Sequence, residues 1–360
     1  MSASIGQATK SKSEILVVCH LCSQPGHRKA YCPLKPQRQC QKPIESEENR
    51  KRKLPFLLTL QRGTNAKQSF CRPLESRSQT IYFPDLVDNV ILASNYGWLV
   101  LVGCFLNDHE CCLWNPGSKA MIKLPNINRF YLFNKCVLSK PPTEPDCHIL
   151  FYSPRFCWQS YCKIGDVKYV EEKFQLIATA SFQGKIYGFM NPGYKFVTIE
   201  FVGGTMEFRP LLILDQEQPL KAPVIKRNWV VWHEIELMES PFVDELLLVI
   251  KDFTHHNYNY YATDSSEYRV FRVDINRMKC IEVDDIGDHV ILISKYGDEI
   301  CCSSSVTDTF KPNSIYHTEY GAYVYVYDLD DKSMTSWLPP DVAKIDLSNN
   351  FWLDLKELIQ

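Results

Sequence analysis

Short apolar or alternating runs recur between turn residues from Leu54 to the C-terminal end of the chain. Examples are "VILASNYGWLVLVG", "FQLIATASFQGKIYGFM" and "DHVILISKYGDEICCSS". Alternation of apolar and polar positions, with many β-branched and aromatic residues, is typical of half-buried β-strands. The Tyr-Gly and Gln-Gly pairs inside these runs favour tight hairpin turns. The pattern therefore predicts an all-β domain made of successive hairpins.

A larger repeat is superimposed on the hairpins. Strands that carry "LWNP", "VFRVD" or "VYVYDLD" end in an Asn or Asp turn and are followed by a strand with a bulky apolar residue. Units of about 40–50 residues with this order are typical of β-propeller blades, which are four-stranded sheets packed face to face. The sequence predicts a β-propeller of about six or seven blades, and a pair of packed β-sheets is the alternative.

Seven segments in a fixed order resemble one known family. They are "YGWLVLV", "LWNPGSKAMIKLP", "DCHIL", "GKIYGF", "DELLLVIK", "VFRVDINRMKCIEVDDIGDHVILIS" and "VYVYDLDD". Together they resemble the plant F-box-associated β-propeller family of unknown function, which includes brassinosteroid-kinase-interacting F-box proteins. The resemblance covers about Leu54 to the C-terminus and implies a plant protein whose kelch-like propeller binds protein. Family members commonly carry a helical F-box before the propeller, and residues 1–53 contain no amphipathic helix of that length.

The N-terminal part of the chain has a different composition. Residues 1–53 hold 11 Lys and Arg against 4 Asp and Glu, a net charge of 11 − 4 = +7, whereas the remainder has 29 − 38 = −9. Such an asymmetry suggests a separate partner for the basic segment. We predict four regions: a disordered start (1–18), a metal-binding cluster (19–32), a basic linker (33–53) and the propeller domain (54–360).

The stretch "CHLCSQPGHRKAYC" contains four potential zinc ligands, Cys19, Cys22, His27 and Cys32. Thiolates and imidazole are the ligands that Zn²⁺ prefers in a tetrahedral site, and Gly26 can take the positive φ of a tight turn. The spacing resembles the retroviral-type CCHC zinc knuckle. We therefore predict one bound Zn²⁺ in a structural, closed site with no catalytic role.

Zinc knuckles commonly bind single-stranded nucleic acid, by base stacking and by cations on the phosphates. The residue types that suit such contacts lie in or near the cluster: His20, Arg28, Lys29, Tyr31 and Arg38. A further basic run, Arg50, Lys51, Arg52 and Lys53, is either a nuclear-localisation patch or part of a solvated linker. A knuckle that contacts protein, or one that is a relic of a mobile element, remains an alternative.

Several other features narrow the function. The chain has 15 cysteines and no secretory signal at its start, which predicts an intracellular protein, in nucleus or cytoplasm, with mostly free thiols. No stretch approaches the roughly 18 apolar residues of a membrane span. Adjacent cysteines at Cys111-Cys112 and Cys301-Cys302 are expected to face opposite sides of a strand, and His255-His256 is expected in a long loop.

No phosphate loop, nucleophile elbow or zinc-protease motif is present, which favours a non-enzymatic protein. The function predicted from the sequence is a zinc-binding, nucleic-acid-binding knuckle joined to a protein-interaction propeller. The alternative is a protein-recognition module of F-box descent, similar to a ubiquitin-ligase substrate adaptor, whose knuckle is vestigial.

Overall fold

The computed structural model describes residues 55–354 except for 62–67, 72–77, 81–85, 87–88, 104–109, 128–132, 134, 192–194, 212–228, 241–244, 257–262, 295–298, 305–309, 319–322 and 338–347. The chain divides into two units, Met1–Ser46 and Glu47–Gln360, and all described residues belong to the second. Within these described ranges, no helix is long and apolar enough to cross a membrane.

Four blades follow one another along the chain, each an antiparallel sheet with its strands in chain order. The first blade contains β4 (Asn89–Asn95), β5 (Trp98–Gly103), β6 (Cys111–Trp114) and β7 (Met121–Leu124). The second contains β8 (Lys135–Leu138), β9 (His148–Tyr152), β10 (Gln159–Lys163) and β11 (Val170–Glu172). The third contains β12 (Gln175–Phe182), β13 (Lys185–Asn191), β14 (Lys195–Val202) and β15 (Thr205–Pro210). The fourth contains β16 (Trp229–Glu239), β17 (Glu245–His256), β18 (Thr263–Asp274) and β19 (Lys279–Val283).

Both ends of the domain contribute to one further four-stranded sheet, the closing blade. Its strands are β1 (Pro55–Gln61), β2 (Gln68–Cys71), β3 (Ser78–Thr80) and β25 (Ser348–Asp354). The last strand, β25, pairs with β1 in antiparallel register along the whole length of both. The pairing joins the two ends of the domain within one sheet through backbone hydrogen bonds, which closes the ring of blades.

The remaining sheet has five strands and departs from the blade pattern. It contains β20 (His289–Ile293), β21 (Glu299–Ser303), β22 (Ser314–Thr318), β23 (Val324–Asp328) and β24 (Met334–Trp337). Their order is β21-β20-β22-β23-β24, and β20 pairs with β22 in parallel. Among the described residues there are thus five regular four-stranded blades. The β-propeller prediction is confirmed, but the predicted count of six or seven is corrected, because this sheet contains an inserted hairpin and a parallel pair.

Neighbouring sheets contact each other through the strands nearest the ring axis. These contacts run from β4 to β8, β12, β16, β21 and β25 in turn. The core lies between the sheet faces: Leu113 of the first blade and Phe151 of the second share one apolar cluster, and Phe189 of the third and Leu248 of the fourth share another. Because both faces of a blade are buried, its stability depends mainly on its neighbours.

Two of the predicted hairpin turns are confirmed as two-residue turns with positive φ at both positions. They are Tyr96-Gly97, with φ of 53° and 73°, and Gln183-Gly184, with φ of 49° and 73°. This is the type I′ geometry, whose twist matches that of the flanking strands. Glycine tolerates the second position because it has no Cβ.

The repeated Asn or Asp at the end of a strand also has a structural basis. The side-chain Oδ1 atoms of Asn115, Asp274 and Asp328 each accept a hydrogen bond from a backbone amide two or three residues later, at 2.7–2.8 Å. Short polar side chains of this kind stabilise turns by bonding to nearby backbone. The prediction for His255-His256 was wrong: both residues lie at the end of β17 and pair with β16, because the strand extends further than its polar composition suggests.

Candidate functional site

The residues that the sequence predicts for zinc and nucleic-acid contacts all lie outside the described residues. This holds for the ligands Cys19, Cys22, His27 and Cys32, for His20, Arg28, Lys29, Tyr31 and Arg38, and for Arg50, Lys51, Arg52 and Lys53. Those predictions stay as predictions. Within the described ranges, no group of three or more His, Cys, Asp and Glu side chains is arranged to hold a metal ion.

An exposed tyrosine lies at one end of the propeller axis. Tyr96, in the turn between β4 and β5, is 42% exposed, and its hydroxyl is hydrogen-bonded to that of Ser181 with 2.5 Å between the oxygens. Tyr96 belongs to the first blade and Ser181 to the third. This hydrogen bond therefore connects two blades that are separated by the second blade in the ring.

Glu144, between β8 and β9, and Glu239, at the end of β16, lie near Tyr96, and we call the surface formed by Tyr96, Ser181, Glu144 and Glu239 the turn face. Partial burial raises the pKa of the Tyr96 hydroxyl, the hydrogen bond to Ser181 lowers it, and the nearby Cys147, Glu239 and Glu144 raise it further. Glu144 and Glu239 are both exposed. The turn face thus presents an oriented aromatic ring beside two carboxylates, from three different blades.

The backbone around Tyr96 is held in place from two sides. Asn95 accepts a hydrogen bond from the backbone amide of Leu138 at 3.0 Å, which connects the first and second blades. Asn115 donates from Nδ2 to the carbonyl oxygen of Gly97 at 3.1 Å, which connects the β4–β5 turn to the β6–β7 turn of the same blade. A side chain on such a constrained turn loses little conformational entropy on binding.

A second feature is a buried ionic cluster on strands nearest the axis. Lys135 of β8 donates from Nζ to Oε2 of Glu236 on β16 at 2.7 Å and also contacts the carboxylate of Glu299 on β21. The side chains are only 6%, 17% and 11% exposed, respectively. Burial alone would lower the pKa of Lys135, but the two carboxylates raise it well above the ordinary value. The lysine is therefore charged and connects three sheets.

A cleft of about 600 Å³ lies between the first and second blades. Its walls include Lys123 and Lys168 together with Asp166 and Glu171. Charges of both signs are present in equal number on these walls. The cleft therefore favours neither a cation nor an anion.

The adjacent cysteine pairs behave as the sequence predicts. Cys301 packs against the apolar cluster shared with the fourth blade, whereas Cys302 packs against a different cluster within the five-stranded sheet. Cys111 is buried in the core and Cys112 is half-buried. Burial raises the pKa of Cys111 and of Cys301, so both thiols are neutral at neutral pH. Cys111 and Cys301 therefore each pack with an apolar cluster between two sheets.

Comparison with known families gives the decisive observation. The model of the KIB1-4 beta-propeller family matches residues 70–335, which is well over half of the chain. The chain belongs to the KIB1-4 beta-propeller family. This confirms the resemblance to plant F-box-associated propellers and agrees with the observed ring of blades.

This chain is similar to the F-box protein At4g00893 of Arabidopsis thaliana. The two are 31% identical over 98 residues, which cover 27% of this chain and 24% of that protein. The match therefore spans about a quarter of the relative's own length. It relates the propeller to an F-box protein.

Solved structures also resemble the KIB1-4 propeller at a low level. TolB from Acinetobacter baumannii has a TM-score of 0.41 at 10% identity, covering 82% of this chain and 66% of that one. Apo AztD from Citrobacter koseri has a TM-score of 0.30 at 8% identity, covering 84% and 99%. Neither fold nor function rests on these similarities.

Sequence patterns did not reveal the turn face or the ionic cluster of the KIB1-4 propeller. Tyr96 was visible only as the first residue of a Tyr-Gly turn. Glu236 lies between the apolar residues Ile235 and Leu237, and that interruption of an apolar pattern was the available signal, whereas Lys135 follows the polar Asn134 and gave none. Their partners lie on other sheets, so the local sequence contains no mark of the contact.

Proposed function

We propose that this protein is a protein-recognition module of F-box descent, in which the propeller binds a target protein. The observation that carries the proposal is the match of the KIB1-4 family model to residues 70–335. It is supported by the 31% sequence identity, over 98 residues, with an F-box protein. Propellers suit this role because they are rigid scaffolds whose short connections cluster at the two ends of the ring. The protein acts by binding, without catalysis.

The turn face is the surface that we assign to the target. Tyrosine is enriched among the residues that dominate binding energy, because it buries a large area with few rotatable bonds. Tyr96 is oriented by its bond to Ser181 and is still 42% exposed. Exposed Glu144 and Glu239 nearby complement basic side chains of a partner.

The test compares three full-length proteins as baits in a plant extract, with bound proteins quantified by mass spectrometry. Tyr96→Ala removes the exposed ring of the turn face. Phe156→Ala is the matched control, because Phe156 is 47% exposed in the connection between β9 and β10. We expect a partner that the wild type and Phe156→Ala retain and Tyr96→Ala loses, while all three unfold at the same temperature. Identical partners for all three proteins would exclude the turn face as the recognition surface.

Delivery of the target for ubiquitination is a separate step of this proposal. Proteins with an F-box dock onto the ubiquitin-ligase core, so the adaptor role requires contact between the full chain and that core. Purified ligase-core protein and the full chain can be mixed and separated by size-exclusion chromatography. Co-elution supports an adaptor. Separate elution leaves a recognition module that binds its target without delivering it.

A second candidate function rests on the CCHC spacing in residues 19–32. We propose that Cys19, Cys22, His27 and Cys32 bind one Zn²⁺, since three thiols and one imidazole form a donor set that zinc favours. When bound, the metal supplies the folding free energy of a segment too small to bury a core. Single-stranded RNA or DNA is the partner proposed for the knuckle.

Zinc content and fluorescence anisotropy with single-stranded RNA and DNA test this second candidate on the full chain. We expect Cys22→Ser to lose both zinc and binding, whereas Cys40→Ser, a cysteine of the same region outside the ligand set, keeps both. Binding should weaken as salt rises, because the contacts to phosphate release counterions. Zinc without binding to either nucleic acid would leave the knuckle as a protein contact or a relic.

A further inference from the structure

The ionic cluster of Lys135, Glu236 and Glu299 contains more acid than base. One ammonium contacts two carboxylates, and all three side chains are less than one-fifth exposed. If both carboxyl groups were ionised, the cluster would carry a net charge of −1 away from water. An uncompensated buried charge is costly, and two adjacent carboxyl groups cannot easily both ionise.

A second buried ammonium on the described strands has its own carboxylate: Lys251 of β17 lies opposite Glu234, two residues before Glu236 on β16, and its Nζ is 3.8 Å from Oε2 of Glu234. Tyr152 of β9 is a further ionisable group close to Lys135, and burial raises the pKa of its hydroxyl. The Tyr152 hydroxyl accepts a hydrogen bond from Thr179 of β12 at 3.2 Å. Tyr152 is therefore neutral, and the imbalance between the ammonium and the two carboxyl groups remains.

We propose that the cluster holds one proton between Glu236 and Glu299, so that the connection between the second blade, the fourth blade and the five-stranded sheet weakens as the pH rises. With the proton bound, one carboxyl donates to the other, and Lys135 pairs with the remaining negative charge. Without it, two carboxylates repel each other beside a single ammonium. The inference is independent of the proposed recognition function.

The pKa of Glu236 is raised, which agrees with the count of one ammonium for two carboxyl groups. Burial raises its pKa and the adjacent Glu299 raises it further, which together outweigh the lowering by Lys135. A carboxyl whose pKa is higher in the folded than in the unfolded chain binds its proton more tightly when folded. Its contribution to stability is complete below the unfolded value near 4.5 and is lost as the pH rises through the folded value.

The experiment measures the equilibrium constant of folding by denaturant titration of the full chain at a series of pH values. Glu236→Gln replaces the protonated carboxyl with an uncharged group of the same shape. The matched control is Glu267→Gln, because Glu267 pairs with Lys332 and is 57% exposed. Between pH 4.5 and the folded pKa of Glu236, we expect the folding constants of the wild type and of Glu267→Gln to fall with rising pH, relative to that of Glu236→Gln, by up to about tenfold per pH unit.

Parallel curves for Glu236→Gln and the wild type would overturn the proposal. If Glu236→Gln does not fold, Glu299→Gln decides in its place, because it also leaves one carboxyl for one ammonium. If neither folds, calorimetry of the wild type in two buffers of different ionisation enthalpy counts the protons that unfolding exchanges. Release of a proton at neutral pH supports the proposal, and uptake or no exchange contradicts it.

Discussion

Two ion pairs of the propeller have the same chemistry and opposite surroundings. Lys135 contacts Glu236 and Glu299 beside the ring axis, with its side chain 6% exposed. Lys332 lies in the turn between β23 and β24 of the five-stranded sheet, and its Nζ is 3.3 Å from Oε1 of Glu267 on β18. The side chain of Lys332 is 60% exposed and that of Glu267 is 57% exposed. Both pairs connect different sheets, so what separates them is access to water.

That difference determines what each pair contributes. In water, the attraction between exposed charges is weak and is screened by salt, and ordering two long side chains opposes it. In the interior the attraction is stronger, but each charge has lost its hydration and depends on its partners. A buried cluster is therefore sensitive to the loss of one member, whereas an exposed pair is not.

Lys135→Met is expected to have the largest effect. It removes the ammonium and leaves two buried carboxyl groups without a cation, which typically costs about 3–5 kcal/mol of unfolding free energy. Denaturant titration at neutral pH measures the loss. The variant should regain stability as the pH falls, because protonation removes the buried charges. A loss below about 1 kcal/mol would mean that the cluster behaves like a surface pair.

Arg272 and Glu245 test an intermediate case in the fourth blade. Their two hydrogen bonds, Nε to Oε2 at 2.5 Å and Nη2 to Oε1 at 2.6 Å, join side chains that are 32% and 14% exposed. We expect Arg272→Met to cost about 1.5–3 kcal/mol, because a half-buried carboxylate loses a bidentate partner. The same titration applies. The double variant Arg272→Met with Glu245→Gln should recover part of the loss, and no recovery would point to lost packing instead.

The sequence was sufficient for the elements of the fold and for much of their order. Alternating runs predicted the strands, Tyr96-Gly97 and Gln183-Gly184 predicted two-residue turns, and Asn115, Asp274 and Asp328 marked equivalent strand ends. These features depend on neighbours a few residues away, so a local pattern can encode them. The seven ordered segments identified the family for the same reason.

Features that depend on distant contacts were not predictable. The parallel pairing of β20 with β22 arises because β21 folds back on one side of β20 and β22 returns on the other, and a hairpin pattern does not specify that choice. Lys135 lies 101 residues from Glu236 and 164 from Glu299. Only closure of the ring brings these three side chains together. The zinc ligands remain a prediction from the sequence alone.

Lys332→Met is expected to have the smallest effect, at most about 1 kcal/mol, because both side chains stay hydrated whether or not they are paired. Its loss should shrink further in high salt, whereas the loss for Lys135→Met should change little, since buried charges are screened much less. Denaturant titrations of both variants at low and high salt measure the contrast. Equal losses with equal salt dependence would show that burial does not distinguish the pairs. In that case, the position of Lys135 between three sheets would have to explain its contribution.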